Sequence, residues 1–332
     1  MTFALIVCTF QRPDPLLKLL KSVQLQDIYP NQIIIIDGSK NNATEEVLNN
    51  NLFENLTYFK VKEQDRGLTK QRNFGIEKVH ESIEVVCFLD DDIVLEPNYF
   101  KNLLSTYSIY PEAIGVGGYI CNEVNWKPLE ENTKITSKHF VYDGWYRKDG
   151  ARFVLRKKFG LDADRAPAHL PNFSHGRSVS FLPPSGKIYE AEQFMGGVAS
   201  YKKTCLDTQK FSEYFEGYGL YEDADYTFRL SKKGKLYVNT AAVLNHYHDG
   251  SGRPNMFKYG KMVIRNGWYV WRVRHENPSL KARFKWNATA YLLTLIRFTN
   301  ILTSSKKKEA FMEGLGRTIG WLSLQLNKPK LQ

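Results

Sequence analysis

The stretch Val85-Val86-Cys87-Phe88-Leu89-Asp90-Asp91-Asp92 is an apolar run of strand length that stops on three carboxylates. Five consecutive apolar residues leave no polar face, so the strand they form is expected to be covered on both sides, as in a parallel sheet. Three similar runs precede it, at residues 3–8, 32–36 and 56–61. Between the runs, residues 15–26, 44–51 and 68–79 have helical spacing, with Leu16, Leu19, Leu20 and Val23 on one face of the first. Short strands alternating with amphipathic helices predict an α/β fold with a mainly parallel sheet and helices on both faces. Such sheets bind ligands at the carboxyl ends of their strands. Here those ends carry Thr9-Phe10-Gln11-Arg12-Pro13, Asp37-Gly38-Ser39 and the aspartate triplet.

The chain has 332 residues, enough for two domains or one large α/β domain with an appendage. Hydrophobic residues at 42% and charged residues at 24% exclude a disordered, collagen-like or disulfide-scaffold chain. Cys8, Cys87, Cys121 and Cys205 form no C-x-x-C pair, so zinc-site and disulfide-framework readings have no support and a reducing compartment is expected. The net charge of +11 is unevenly placed. Residues 253–332 hold 16 basic residues against Glu276, Glu309 and Glu313, a balance of +13, which leaves −2 for the first 252. That distribution suggests one face meeting an anionic surface. The amino terminus reads as a first strand, not a leader, and no window offers the roughly 20 apolar residues of a membrane span.

Three adjacent carboxylates repel one another and need an opposing charge. Mg²⁺ or Mn²⁺ would supply it through oxygen ligation, and a polar turn after a strand is the alternative. His246 and His248, after an apolar run at 235–245, are each a candidate second protein ligand or a hydrogen-bonding loop residue. Glu222-Asp223-Ala224-Asp225 with Arg229 reads as an acidic helix start with an i, i+4 pair, or as the source of a proton-accepting carboxylate. Residues 67–73 could open a helix with basic groups facing phosphate, but no Walker pattern and no G-x-G-x-x-G follows the first strand. From about 122 to 190 periodicity is lost, which predicts long loops.

Together these segments resemble glycosyltransferase family 2, inverting enzymes of the GT-A fold, over residues 3–253. Phe3 to Pro13 is similar to the family's opening strand and nucleotide loop, with Thr9 and Arg12 in it. Ile34-Ile35-Ile36-Asp37-Gly38-Ser39 resembles its second-strand motif, and Gly67 to Asn73, with Arg72, its glycine-arginine-asparagine segment. Phe88 to Asp92 matches D-x-D. Met195-Gly196-Gly197 and Tyr221-Glu222-Asp223 look like its acceptor-side Gly-Gly and E-D motifs, and His246 with Ser251-Gly252-Arg253 its terminal histidine segment.

The resemblance implies that Asp37 reads the imide edge of uracil or thymine, and that Thr9, Arg12, Gly67, Arg72, Asn73, Asp90 and Asp91 surround the nucleotide sugar. It further implies that Asp92 ligands Mn²⁺ or Mg²⁺, with His246 or, less favoured, His248 completing the site. Asp223 would be the catalytic base, Glu222 would position the acceptor, and Gly196 and Gly197 would lie on the acceptor side. The expected reaction moves a sugar from a UDP- or dTDP-sugar to a hydroxyl of a saccharide or lipid-linked saccharide, in bacterial surface polysaccharide assembly. A non-catalytic sugar-nucleotide or glycan-binding scaffold with the same fold is the alternative.

The expected domains are a catalytic one at 1–253, with a nucleotide-sugar half at 1–121 and an acceptor half at 122–253, and a basic helical extension at 254–332. In that extension Ala288, Tyr291, Leu292, Leu295, Phe298 and Leu302 recur at helical spacing. Such a helix either packs on the body or lies on an anionic membrane surface. The expected location is cytoplasmic, peripheral at the inner face of the cell membrane. No nucleic-acid motif accompanies the basic residues, so no nucleic-acid partner is expected. A homo-oligomer through the tail aromatics is left open.

Overall fold

In the computed structural model, residues 1–215, 217–248 and 255–331 are described. The order begins β1 (Phe3–Thr9), α1 (Pro13–Gln24), β2 (Gln32–Asp37), α2 (Ala43–Asn49), β3 (Leu56–Lys60), α3 (Leu68–Ile76), β4 (Val85–Asp90), β5 (Ile93–Leu95), α4 (Tyr99–Ile109) and β6 (Ala113–Ile120). It continues with β7 (Lys127–Pro128), β8 (His139–Tyr142), β9 (Trp145–Lys148), α5 (Ala151–Lys158), β10 (Ile188–Ala191), β11 (Val198–Lys202), α6 (Lys203–Thr208), α7 (Glu222–Leu230) and β12 (Lys235–His246). Three helices follow: α8 (Met256–Arg274), α9 (Leu280–Thr303) and α10 (Lys307–Leu326). By contacts the chain divides into Met1–Val124 with Pro184–Gly252, and Asn125–Pro183 with Arg253–Gln332.

The first unit is the expected α/β sheet, ordered β10-β12-β6-β11-β4-β1-β2-β3, with β5 paired to β12. β3, β2, β1 and β4 run parallel, β6 and β12 run parallel to each other, and β11 lies antiparallel between β4 and β6. Alternation within each strand supplies both faces. Phe3, Leu5 and Val7 join Leu16, Leu19, Leu20 and Val23 of α1 and Tyr99, Phe100 and Leu103 of α4 in one core. The opposite face carries α3. A Cβ on Gly75 would stand 2.9 Å from Ile6 Cγ2 and 3.3 Å from Ile36 Cγ1, so the α3 backbone lies directly on β1 and β2. α1 starts where Pro13 presets the backbone at the first turn.

The second unit takes in the stretch expected to be loops. Residues 127–148 form a small antiparallel sheet, β7-β9-β8, whose strands of two to four residues are too short to show a period. Asp143 and Gly144, at φ +46° and +76°, make the β8–β9 turn, the left-handed pair that a two-residue hairpin requires. Arg177 organises this segment: it is buried, its guanidinium bonds Asp149 at 2.9 Å and Asp162 at 2.8 Å, and the rings of Phe140, Phe153 and Phe181 surround it. In the same unit α8 and α10 touch backbone to backbone. A Cβ on Gly260 would meet Glu313 O at 2.2 Å, and one on Gly316 would meet Phe257 O at 2.1 Å. Buried Glu313 is held there by Arg297 and by Arg317 Nη2 at 2.8 Å. No helix among the described residues is long and apolar enough to cross a membrane.

Because α3 rests on β1 and β2 through Gly75, Gly75→Val should overpack this contact. The expected loss is about 1–3 kcal/mol of stability, read as a lower denaturant midpoint. An unchanged midpoint would show that α3 is not seated there.

Candidate active site

Parallel pairing sets the strand ends side by side. Thr9 is in register with Asp37, and Cys8 with Asp90. β11 runs the opposite way, with Val198 across from Leu89, so Gly196 and Gly197 arrive at the carboxyl edge where Asp90 stands. Residues at the start of α7 reach the same place, because Gly196 N donates to Asp223 Oδ2 at 3.3 Å. β12 pairs antiparallel with β5, bringing His246 opposite Ile93, the residue after the triplet.

Arg72 lies at the centre of this edge and is 3% exposed. Its Nη1 bonds Glu222 Oε1, its Nη2 stands 3.7 Å from Asp90 Oδ1, and the rings of Phe88 and Phe211 flank it. Burial pushes the Glu222 carboxyl up, and the facing guanidinium pulls it back. The glycine pair is explained by the same crowding. A Cβ on Gly196 would fall 2.5 Å from Arg72 Nη1, and one on Gly197 2.0 Å from Asp90 Oδ2. Asp223 is half-buried; Ala224 N at 2.7 Å and Gly196 N hold its two oxygens, and burial raises its pKa despite those bonds. Tyr221, just before α7, has φ +72°, a conformation that costs a non-glycine residue of order 1–3 kcal/mol. Asp225 is fully buried against Arg229 at 2.7 Å, the i, i+4 pair read from the sequence.

The three aspartates have three different surroundings. Asp90 keeps 39% of its side chain exposed. Asp91 is buried, accepts from Thr9 Oγ1 at 2.6 Å and Arg12 Nη1 at 3.0 Å, and burial pushes its pKa up to about 6 against those two partners. Asp92 faces Arg12 at 3.4 Å and His246 Nε2 at 3.0 Å. Oxygen or nitrogen atoms of Asp90, Asp92 and His246 all lie within 4.8 Å of one another, and those of Glu123, His246 and His248 do likewise. His246 is therefore common to both groups, and His248 meets Glu123 at 2.9 Å. Burial alone would lower the His246 pKa, but bonds to Asp92 and Glu123 raise it to about 10, so a positive charge is stabilised between these carboxylates. The two carboxylates and one imidazole of the first group fit Mn²⁺ or Mg²⁺, with further positions left for substrate oxygens. Glu123, at 3.0 Å from His246 Nδ1, would fix the tautomer that leaves Nε2 to a cation.

On the nucleotide side the expected residues mostly bind the protein itself. Asp37 is 0% exposed and accepts from Ser39 N at 2.7 Å and Tyr58 OH at 2.9 Å. Ser39 Oγ in turn accepts from Gln11 N at 2.6 Å, which ties the loops after β1 and β2 together. Asn73 clasps the backbone of Phe211 with two bonds of 2.9 Å. Gly67 caps α3 at φ +124°, open to glycine alone among common residues. Ser251, Gly252 and Arg253 lie outside the described residues.

The sequence had singled out neither Gln71 nor Glu123. Gln71 is buried and donates to Thr9 O at 3.2 Å and Ile36 O at 2.9 Å, bracing two strand ends from α3. Its position beside Arg72 was the only signal. Glu123 follows β6 in a segment without periodicity, and only the parallel pairing of β6 with β12 brings it to His246.

A family model described as glycosyl transferase family 2 matches residues 4–168. The chain is 30% identical over 170 residues to the GalNAc(5)-diNAcBac-PP-undecaprenol beta-1,3-glucosyltransferase of Campylobacter jejuni, a match covering 49% of this chain and 53% of that protein. It is 25% identical over 122 residues to the glucosyl-dolichyl phosphate glucuronosyltransferase of Haloferax volcanii, covering 36% of this chain and 38% of that one. The chain thus spans about half or less of the curated relatives it matches. Among solved structures, GalNAc-T7 with UDP, GalNAc and Mn²⁺ superposes with a TM-score of 0.52 at 14% identity, covering 89% of this chain and 57% of that one. This last likeness bears on the fold alone, which is of the GT-A kind. The match at 4–168 includes β1, β2 and β4 with the carboxylates at their ends, and over those residues the chain belongs to glycosyl transferase family 2.

Proposed function

We propose that this protein is an inverting, metal-dependent glycosyltransferase moving one sugar from a UDP- or dTDP-sugar to a hydroxyl of a saccharide or lipid-linked saccharide. The main support is the convergence of Asp90, Asp92 and His246 with half-buried Asp223 at one sheet edge. The Campylobacter and Haloferax relatives are named for lipid-linked substrates, which favours such an acceptor in surface polysaccharide assembly here. In this reading the enzyme works peripherally, on the cytoplasmic face of the membrane, with its basic carboxyl-terminal helices toward anionic lipid.

A cation held by Asp92 and His246, beside Asp90, would neutralise charge gathering on the leaving diphosphate. Glu123 holds the His246 ring in place through Nδ1. Asp223 accepts the proton of the acceptor hydroxyl as its oxygen attacks the anomeric carbon from the side opposite the diphosphate, which inverts that centre. Its raised pKa makes it a stronger base than an exposed aspartate. Glu222 is turned inward and fixed by Arg72, so its role is to position the start of α7. Gly196 and Gly197 keep the wall beside Asp90 free of side chains. Thr9 and Arg12 hold Asp91, while Asp37, Gly67 and Asn73 order the loops that would surround the nucleotide. His248 stands behind Glu123 as a secondary partner.

Asp223→Asn should lower the transfer rate by about 10²–10⁴-fold with donor binding kept; near-normal turnover removes Asp223 as the base. Since the base form is lost as pH falls through a raised pKa, the acid limb of the wild-type rate profile should lie above the aspartate reference of about 3.9. Glu123→Ala should weaken Mn²⁺ activation by about 10–100-fold, measured by titrating metal into apoprotein, whereas His248→Ala should change it less. Activity indifferent to a chelator and to Asp92→Ala would take the metal out of the mechanism. A thermal-shift screen of UDP-, dTDP- and GDP-sugars with Mn²⁺ identifies the donor.

A further inference from the structure

The second unit holds a pocket of roughly 180 Å³, built wholly from the three carboxyl-terminal helices and the residues after them. Its apolar wall is Trp268, Trp271 and Trp286, all buried, with the last two rings stacked 5.4 Å apart. Its polar wall carries Arg272, Arg283 and Lys328, and among the described residues no carboxylate lines it. Arg272 donates to the carbonyls of His275, at 3.3 Å from Nε, and Glu276, and Arg283 Nε donates to that of Pro278 at 3.1 Å; these carbonyl partners are neutral and carry no charge to offset either guanidinium. Burial and the neighbouring Arg283 both push the Arg272 pKa down. Trp286 Nε1 is buried and has no hydrogen-bond partner among the described residues. Mutually repelling cations on an aromatic wall favour an anion between them.

A second observation concerns α9. Its packed face is Ala282, Trp286, Thr289, Ala290 and Thr294, whereas Leu280, Phe284, Tyr291, Leu295 and Leu302 are exposed. At 3.6 residues per turn these five fall within about 60° of one another, and Arg283 and Asn287 border that stripe. Of the positions whose helical spacing the sequence showed, Tyr291, Leu295 and Leu302 lie on this exposed face. An exposed apolar stripe along one helix face is the kind of surface that meets a partner or a membrane. With 16 basic against three acidic residues in 253–332, the occupant that matches in charge is an anionic lipid surface.

We propose that this pocket recognises the phosphate of an anionic lipid, with Arg272, Arg283 and Lys328 around the phosphate and the α9 stripe in the acyl region. This deepens the membrane part of the proposed function and rests on it; it is independent of the transfer chemistry.

The test is cosedimentation of the full chain with vesicles of mixed phosphatidylglycerol and phosphatidylcholine, against phosphatidylcholine alone. Arg283 and Lys328 are both exposed, so the double variant Arg283→Gln/Lys328→Gln should fold. It should bind the anionic vesicles about 30-fold more weakly. Lys307→Gln/Lys308→Gln, which removes equal charge outside the pocket, should lose clearly less, and Phe284→Ser/Leu302→Ser should also weaken binding. Equal losses for the two charge variants overturn the pocket and leave the membrane reading standing. No binding of wild-type protein to anionic vesicles overturns the lipid proposal and the membrane reading together. If inorganic phosphate then still raises the Tm of wild-type protein and not of Arg283→Gln/Lys328→Gln, the pocket serves a soluble phosphate and only its lipid source is wrong.

Discussion

The candidate site depends on one buried cation. Arg72 is set among Glu222, Asp90 and two aromatic rings, where leaving either the guanidinium or its carboxylates unpaired would be strongly destabilising. It joins parts of the chain far apart in sequence: α3 carries the arginine, β4 the Asp90 carboxylate and α7 the Glu222 carboxylate. Its bulk also dictates glycine at 196, just as Asp90 dictates glycine at 197. One electrostatic contact therefore fixes where the first turn of α7 stands, and with it Asp223.

The sheet order makes that meeting possible. A purely parallel sheet would deliver only its own strand ends to one edge. Inserting β11 antiparallel between β4 and β6 delivers a strand beginning instead, and that beginning is Gly196-Gly197. The long β12 then returns parallel to β6 and ends on His246, beside the residue that follows the triplet. Glu123 and Asp92 hold the imidazole from its two nitrogens, so the histidine is oriented before any ligand arrives.

The second unit uses buried charge in a similar way. Arg177 is enclosed by Asp149, Asp162 and three phenylalanines, and Glu313 by Arg297 and Arg317. Each is a fully partnered ion in an apolar setting, a device that specifies one arrangement more than it adds stability. Close glycine contacts between α8 and α10 bring Glu313 into position. Among the described residues, no carboxylate lines the tryptophan pocket beside its cations, and the apolar stripe of α9 is exposed.

By itself the sequence determined the sheet, because uninterrupted apolar runs such as 33–36 and 85–89, alternating with amphipathic helical stretches, fit strands covered on both faces. It also placed three adjacent carboxylates at the end of one buried strand, where their mutual repulsion calls for an opposing charge. Periodicity disclosed α1 and the helical tail, and it was silent over 122–190, where strands of two to four residues and the ion pairs of buried Arg177 carry the order. Beyond the local Asp225–Arg229 pair, side-chain pairing was decided by the tertiary structure. Nothing local separates Asp90, Asp91 and Asp92, yet one is half open, one is locked by Thr9 and Arg12, and one faces His246. The difference arises because neighbours from β1, β12 and α3 are placed by the pairing of strands, and sequence distance holds no record of that pairing. For the same reason the spacing on α9 revealed an amphipathic helix, while packing alone decided which face remained uncovered.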